Sequence, residues 1–395
     1  MVQTPAQIIS NAGFPVYLFG FSAIDSYLCR SSPSYFGNSC CVHILCGADL
    51  TDLARLFDNL RYPGAALADA AVDCGEKTWY FRCGEIIGTQ CLHKNSYASF
   101  PFLEFYQNCK TGSFYDPNGI YPYLREIRKG ITPNAAQNIL DINPGADACR
   151  ALSDAAMILA FYFPDINIKT IKTPTTGFES ILSAEEQRLL LTGLLEAANP
   201  APGFELLKQS GFLSAHWPEI AALDDVDQNK EYHPEGNAFK HTMEALRYRK
   251  SSAGGFETRL SLGLLLHDLG KPISDSAGGR RFDGHAELGA RAAARFLERL
   301  EFEPSLVNDV FYLVKNHMLP AALKRLPLTK TESVMASPLF PVLMELYRCD
   351  ESSSFKGLDS YYENSAVFQA YLRNVKNPYR NADGKKKRRR EMYLR

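Results

Sequence analysis

Residues 260–272 read LSLGLLLHDLGKP, an almost wholly apolar run closed by a histidine, an aspartate, a glycine and a proline. Leucines on every side of a 3.6-residue period predict a buried helix rather than a surface one. Gly270 and Pro272 predict that it stops there, which puts His267 and Asp268 in its last turn with little around them but core. An ionised aspartate buried without a partner costs on the order of several kcal/mol, and a bound divalent cation is one arrangement that offsets it. The plainer alternative is an aspartate that only caps the turn or orients its neighbour.

Four other residues stand in contexts that suit the same centre. His241, in HPEGNAFKHTMEAL, has Phe239, Met243 and Leu246 as apolar helix neighbours, and Asp350 follows the apolar run LFPVLMELY. His285, in FDGHAELG, opens an amphipathic helix whose stripe is Leu288, Ala292, Phe296, Leu297 and Leu300. His317, in LVKNHMLP, follows Leu306, Val310, Leu313 and Val314. Taken singly, each histidine also reads as a satisfied core or helix-start residue. Taken together, imidazole and carboxylate donors suit a divalent transition metal (Mn, Ni, Co, Fe or Zn) better than calcium, which prefers all-oxygen cages. His216, His93 and His233 carry no such pattern.

Composition sets the bounds. A chain of 395 residues, 46% hydrophobic and 22% charged, suffices for two or three packed domains. Its first residues, MVQTPAQIISNAGFPVYLFG, lack the basic start, unbroken apolar core and small-residue cleavage site of a secretion signal, and no apolar run reaches the roughly 18 residues of a membrane span, so the reading is cytoplasmic, without a membrane partner. Of ten cysteines, nine lie between Cys29 and Cys149 with no CxxC pair, which argues for reduced packing thiols over a disulfide scaffold or a zinc cluster. Net charge is −1, yet Lys385 to Arg390 is an unbroken run of six basic residues, in a tail read as solvated and disordered, with RNA backbone as its alternative partner.

Texture divides the rest. Residues 1–125 alternate short β-rich runs (PVYLFGF, CCVHILC, TWYFRCGEIIG) with helical stretches such as LTDLARLFDNL, predicting an α+β domain. Residues 126–225 read as a helical connecting region, in which SAEE marks a helix start with Ser183 as N-cap and Glu186 three positions on. Residues 226–375 read as a second, all-α domain and 376–395 as the basic tail.

The segment from about 183 to 375 resembles the helical half of bacterial tRNA nucleotidyltransferases and poly(A) polymerases that carry an HD domain. The strings that carry the likeness are PGFELLKQSGFLSAHWPEIAALDDVDQ, EYHPEGNAFKHT, LLLHDLGKP, GHAELGA, KNHMLP and RCDES. In HD phosphohydrolases the order H, HD, D supplies the metal ligands, and the resemblance places these on His241, His267, Asp268 and Asp350, with Asp268 also catalytic. It assigns His285 and His317 to a second metal ion or to the substrate phosphate. Lys271, next to the pair, stands where it would meet that phosphate, a solvated lysine being the alternative.

The first half resembles the same family's nucleotidyltransferase domain with its chemistry removed. The family's GG turn followed by RD falls on YLFGFSAIDSYLCR, where Gly20 and Asp25 remain but Phe21 and Ile24 replace the second glycine and the arginine. Cys41 and His43 stand where two magnesium-binding carboxylates are needed, and neither is a hard-oxygen ligand. The family's RRD segment falls on Tyr97, Ala98 and Ser99, and of three nucleotide-selecting arginines only Arg150 survives, beside Ser153 and Ala156.

Together these readings predict a metal-dependent phosphohydrolase acting on small phosphoesters, nucleotides or RNA ends as a phosphodiesterase, nucleotidase or phosphatase, using one or two metal ions and carrying an inactive nucleotidyltransferase-like domain. The alternatives are an RNA-processing protein of the tRNA nucleotidyltransferase and poly(A) polymerase family, or a non-catalytic RNA-binding scaffold. Oligomeric state is left open.

Overall fold

The structure, a computed structural model, describes residues 3–31, 41–63, 68–75, 77–87, 90–92, 100–130, 132–141, 148–173, 182–227, 236–250, 257–276, 282–354, 357–377 and 379–385. Chain contacts divide it into two compact units: residues 1–218 with 249–258 and 299–303, and residues 219–248 with 259–298 and 304–395.

The first unit begins with a mixed sheet. Its strands are β1 (Val16–Phe19), β2 (Cys41–Cys46), β3 (Ala70–Cys74), β4 (Lys77–Cys83), β7 (Tyr106–Asn108) and β8 (Phe114–Tyr115), in the order β3-β4-β2-β1-β7-β8; β5 (Glu85–Ile87) and β6 (Gln90–Leu92) form a separate pair. β2 runs parallel to β4, with His43 opposite Tyr80, and antiparallel to β1. One face buries Ile44, Cys46, Val72 and Phe81 against Ile9 and Leu53, and the other gathers Tyr17, Phe19, Leu45 and Tyr106. Helices follow, among them Tyr121–Lys129, Pro133–Asp141, Ala148–Tyr162, Ala184–Glu196 and Ala201–Gln209. The start at Ser183 closes as a capping box: the Glu186 amide donates to Ser183 Oγ at 3.2 Å and the Ser183 amide to Glu186 Oε2 at 2.7 Å. An α/β sheet region followed by a helical region is thus the observed architecture, as the residue pattern predicts.

The second unit is helical among the described residues: Ala238–Arg247, Thr258–Leu266, Lys271–Ser276, His285–Arg299, Pro304–Asn316, Leu328–Met335, Phe340–Ser352 and Asp359–Lys376. Leu262, Leu264, Leu265 and Leu266 have no exposed surface. At roughly 1.5–3 kcal/mol for each fully buried leucine, this helix is a fixed post against which its neighbours are positioned. One expectation is corrected. The helix ends at Leu266, so His267 and Asp268 lie in the turn after it, and Pro272 does not stop a helix but sits in the first turn of the next. Proline has no amide hydrogen to lose there and its fixed φ suits a helix start.

Among the described residues Cys41, Cys46, Cys74, Cys83, Cys109, Cys149 and Cys349 are free thiols, and no helix is long and apolar enough to cross a membrane. Residues 386–390 of the basic run, Tyr97, Ala98, Ser99, His93 and His233 lie outside the described residues.

Candidate metal centre

Six side chains from five segments of the helical unit meet at one place. His241 comes from the middle of Ala238–Arg247, a helix started by Asn237, whose side chain accepts the Lys240 amide at 3.0 Å. His267 and Asp268 come from the turn after Leu266, His285 from the first turn of its helix, His317 from just beyond Asn316, and Asp350 from the last turn of Phe340–Ser352. The turn carrying Asp268 presses backbone to backbone on the helix carrying His285. A Cβ on Gly270 would lie 1.9 Å from the His285 carbonyl oxygen, so only glycine fits there.

Each histidine gives its Nδ1 side to a fixed acceptor. His267 donates to the Leu264 carbonyl at 2.7 Å, His285 to Phe282 at 2.8 Å and His317 to Val314 at 2.7 Å. Ser353 Oγ lies 3.3 Å from His241 Nδ1; since its own proton goes to the Asp350 carbonyl at 2.7 Å, it accepts from the ring. The tautomers are thereby set with Nε2 facing inward, the orientation metal-ligating histidines adopt. Inside, His241 Nε2 is 2.8 Å from Asp350 Oδ1, and His267 Nε2 is 3.3 Å from Asp268 Oδ2 and 3.9 Å from Asp350 Oδ1. His285 Nε2 stands 3.1 Å from His317 Nε2 and 3.9 Å from Asp268 Oδ1.

These residues fit a divalent cation. Neutral rings with protonated Nδ1 bring lone pairs face to face with one another and with carboxylate oxygens, and something positive must lie among them. His267 Nε2 is buried without a hydrogen-bond partner among the described residues. Two sets of ligand atoms, from His241, His267 and Asp268 and from Asp268, His285 and His317, each lie within 4.8 Å of one another, sharing Asp268.

Electrostatics keep the donors in ligand form. Burial pushes His317 down to about 4, helped by its proximity to His267, and burial lowers His285 too. Burial works to raise the Asp268 and Asp350 carboxyls, yet positive charge beside them, a proton on His267 with Lys271 at Asp268 and a proton shared with His241 at Asp350, holds both well below the ordinary range, so protons stand at these positions where a cation does not. Lys271 Nζ is 2.6 Å from Asp268 Oδ2. The six donors floor a cavity of about 490 Å³, whose remaining walls include Lys271, Phe282, Met318, Arg325, Tyr347 and Glu351. Except for Lys271, sequence reasoning missed these walls: they are single residues of common type on different elements, with no spacing to mark them.

Among the described residues, the other candidates lie in the first unit, outside the two ligand sets. Phe21 stacks on Phe161 with ring centroids 3.6 Å apart and Ile24 is fully buried, both in the helix Phe21–Ser31 that follows β1, so these replacements have become core. Asp25 Oδ1 accepts the Tyr162 hydroxyl at 3.0 Å. On β2, Cys41 is buried, while His43 stacks on Tyr80 and its Nε2 meets Glu196 Oε2 at 3.0 Å. Asp49 and Asp52 cap the start of Leu50–Leu56 reciprocally. Arg150 is held by Glu186, its Nε donating at 2.8 Å.

Residues 232–343 match the HD domain family. The helical unit carries an HD domain. Asp350 lies beyond the matched stretch, joined to it by the 2.8 Å contact with His241. The chain is 36% identical over 153 residues to a multifunctional CCA protein of Halorhodospira halophila, covering 38% of this chain and 36% of that protein. It is 34% identical over 144 residues to a CC-adding tRNA nucleotidyltransferase of Thermus thermophilus, covering 35% of this chain and 33% of that one. A solved structure of the Bacillus stearothermophilus CCA-adding enzyme with CTP aligns over 93% of this chain and 81% of that chain at 13% identity and a TM-score of 0.38. The chain spans about a third of the length of these two curated relatives. The likeness is therefore to an HD domain over residues 232–343 and to part of two curated tRNA-processing proteins.

Proposed function

We propose that this chain is an RNA-processing protein of the tRNA nucleotidyltransferase kind whose chemistry resides in its HD centre, as metal-dependent hydrolysis of a phosphoester on a nucleotide or an RNA end. One observation carries the reading: the outward fixing of all four Nδ1 atoms, which leaves four Nε2 atoms and two carboxylates directed inward. His241, His267, Asp268 and Asp350 would hold one cation, and His285 and His317 with Asp268 a second or the phosphate. When bound, a divalent transition metal supplies Lewis-acid polarisation of the phosphoryl group and acidifies water. Asp268, shared by both ligand sets and with Oδ2 engaged by Lys271, would fix the position of the cation and so of the water it acidifies. Lys271 Nζ offers positive charge to the phosphate.

The test is elemental analysis of the purified chain beside turnover of 2′,3′-cyclic nucleotides, nucleoside monophosphates and RNA 3′-phosphates, before and after chelation. Hydrolysis that persisted in metal-free protein would overturn the reading. The names of the relatives favour a second one, addition of CMP or AMP to tRNA; its difficulty is that Cys41 and His43 offer no carboxylate at the catalytic strand.

A further inference from the structure

Phe282 is a bulky residue in a left-handed backbone, with φ at 65°. Glycine adopts that conformation freely and a large side chain does so against steric resistance, so an aromatic ring there needs a use that its backbone does not supply. The backbone task is plain: the Phe282 carbonyl takes Nδ1–H of His285 at 2.8 Å. A glycine would place that carbonyl as well. The ring does something else. It is part of the cavity wall above the metal-binding donors, and Lys271 Nζ lies 5.5 Å from its centroid while also 2.6 Å from Asp268 Oδ2. Asp268, Lys271 and Phe282 therefore form a line from the centre to an aromatic surface. A phosphate drawn to Lys271 leaves the rest of its molecule beside that surface. The cavity of about 490 Å³ exceeds what a bare phosphate needs and lies within the range of small-molecule sites. Met318, 53% exposed, and Tyr347 add further non-ionic wall.

We propose that the Phe282 ring is a stacking platform for a nucleobase, so that the centre selects nucleoside phosphoesters over base-free ones. The proposal rests on the phosphoester reading of the site, and binding separates the two. Equilibrium dialysis of the full chain loaded with Mn²⁺ would compare adenosine 5′-monophosphate with ribose 5-phosphate, which differ only by the base. Stacking of one base on an aromatic side chain corresponds to a preference of about tenfold or more for the adenosine compound. Phe282→Gly should erase that preference, leave ribose 5-phosphate binding unchanged and keep the helical spectrum and melting temperature, since glycine suits the backbone; Phe282→Trp should restore it. Equal affinities in the unmutated chain, no binding of the adenosine compound, or a preference that survives Phe282→Gly each overturn the platform. Equal loss of both ligands in Phe282→Gly also overturns it, leaving only the carbonyl contact to His285. A base preference accompanied by no turnover of any phosphoester would instead remove the hydrolase reading and leave the platform standing.

Discussion

His285 and His317 face each other across 3.1 Å, Nε2 to Nε2, after each has already directed Nδ1 at a backbone carbonyl. Two neutral imidazoles cannot hold that geometry by themselves, because both inward atoms are acceptors. A shared proton or a cation must join them, and burial, which takes His317 down to about 4, opposes the proton. Purified protein is expected to contain a transition metal, and chelation to lower its melting temperature by a few degrees, as loss of a ligand bound at about 100 times its Kd removes about 2.7 kcal/mol. Metal analysis with a thermal melt checks this, and an unchanged melt after full metal removal would contradict it.

Asp268→Asn separates chemistry from folding. Asparagine keeps the shape and loses the anion shared by both ligand sets, so phosphoester turnover and metal affinity should fall by orders of magnitude with the helical spectrum nearly intact. His317→Gln should do comparable damage if it holds a second ion, and distinctly less if it touches only phosphate. Wild-type hydrolysis by Asp268→Asn would return the pair to a structural role.

Much of this was legible in the residues, for reasons that differ by element. LSLGLLL announces burial because leucine on every face leaves no side for water, and SAEE announces a helix start because Ser183 and Glu186 satisfy one another's amides. The end of the first of these helices was misplaced by one turn. By local pattern Gly270 and Pro272 mark its stop, whereas Gly270 serves the approach of a second helix and Pro272 begins a third. Such contacts are long-range and leave no local period. Convergence of His241 with Asp350, 109 positions apart, came from the motif order that the resemblance supplied and not from spacing. Phe282 and Arg325 had no signal at all, since their meaning depends on which cavity they line.

Gly270→Ala tests that close approach. A methyl group 1.9 Å from the His285 carbonyl oxygen and 2.6 Å from the Gly289 amide must drive the two elements apart. Overpacking of this sort costs about 1–3 kcal/mol. It would also move His285 from Asp268. The expected result is a lower melting temperature together with weaker metal binding by titration; a stable variant with unchanged metal affinity would show the contact to be incidental.

Asp154 is fully buried in the helix Ala148–Tyr162, and its carboxylate oxygens have no well-formed hydrogen bond among the described residues. Burial pushes its pKa well above the ordinary value, the Phe102 amide offsetting only part of this. The folded chain thus keeps a proton that the unfolded chain releases above about pH 4, and stability contributed by that proton is lost as pH rises toward the folded pKa. Asp154→Asn has no proton to lose. Its melting temperature relative to the unmutated chain should therefore rise between pH 5 and pH 8, and a difference that stays constant across that range would mean the carboxyl titrates normally.

The sheet domain supplies the last prediction. In place of a two-metal site, β2 offers a buried thiol at Cys41 and, at His43, a ring stacked on Tyr80 and joined to Glu196 at 3.0 Å. The helix Phe21–Ser31 before it opens on Phe21, stacked on Phe161, and Asp49 and Asp52 are engaged in capping a helix. Replacing only the strand residues, as Cys41→Asp with His43→Asp, would put two carboxylates where a catalytic pair is needed, yet leave the apolar helix start and the missing arginines. We expect no addition of CMP or AMP to tRNA ends from either the unmutated chain or that double variant, under Mg²⁺ or Mn²⁺, measured with labelled nucleoside triphosphates. Addition by the unmutated chain that survives Asp268→Asn would place a working transferase site on residues other than these, and Asp25, Asp49 and Asp52 would be the first to substitute.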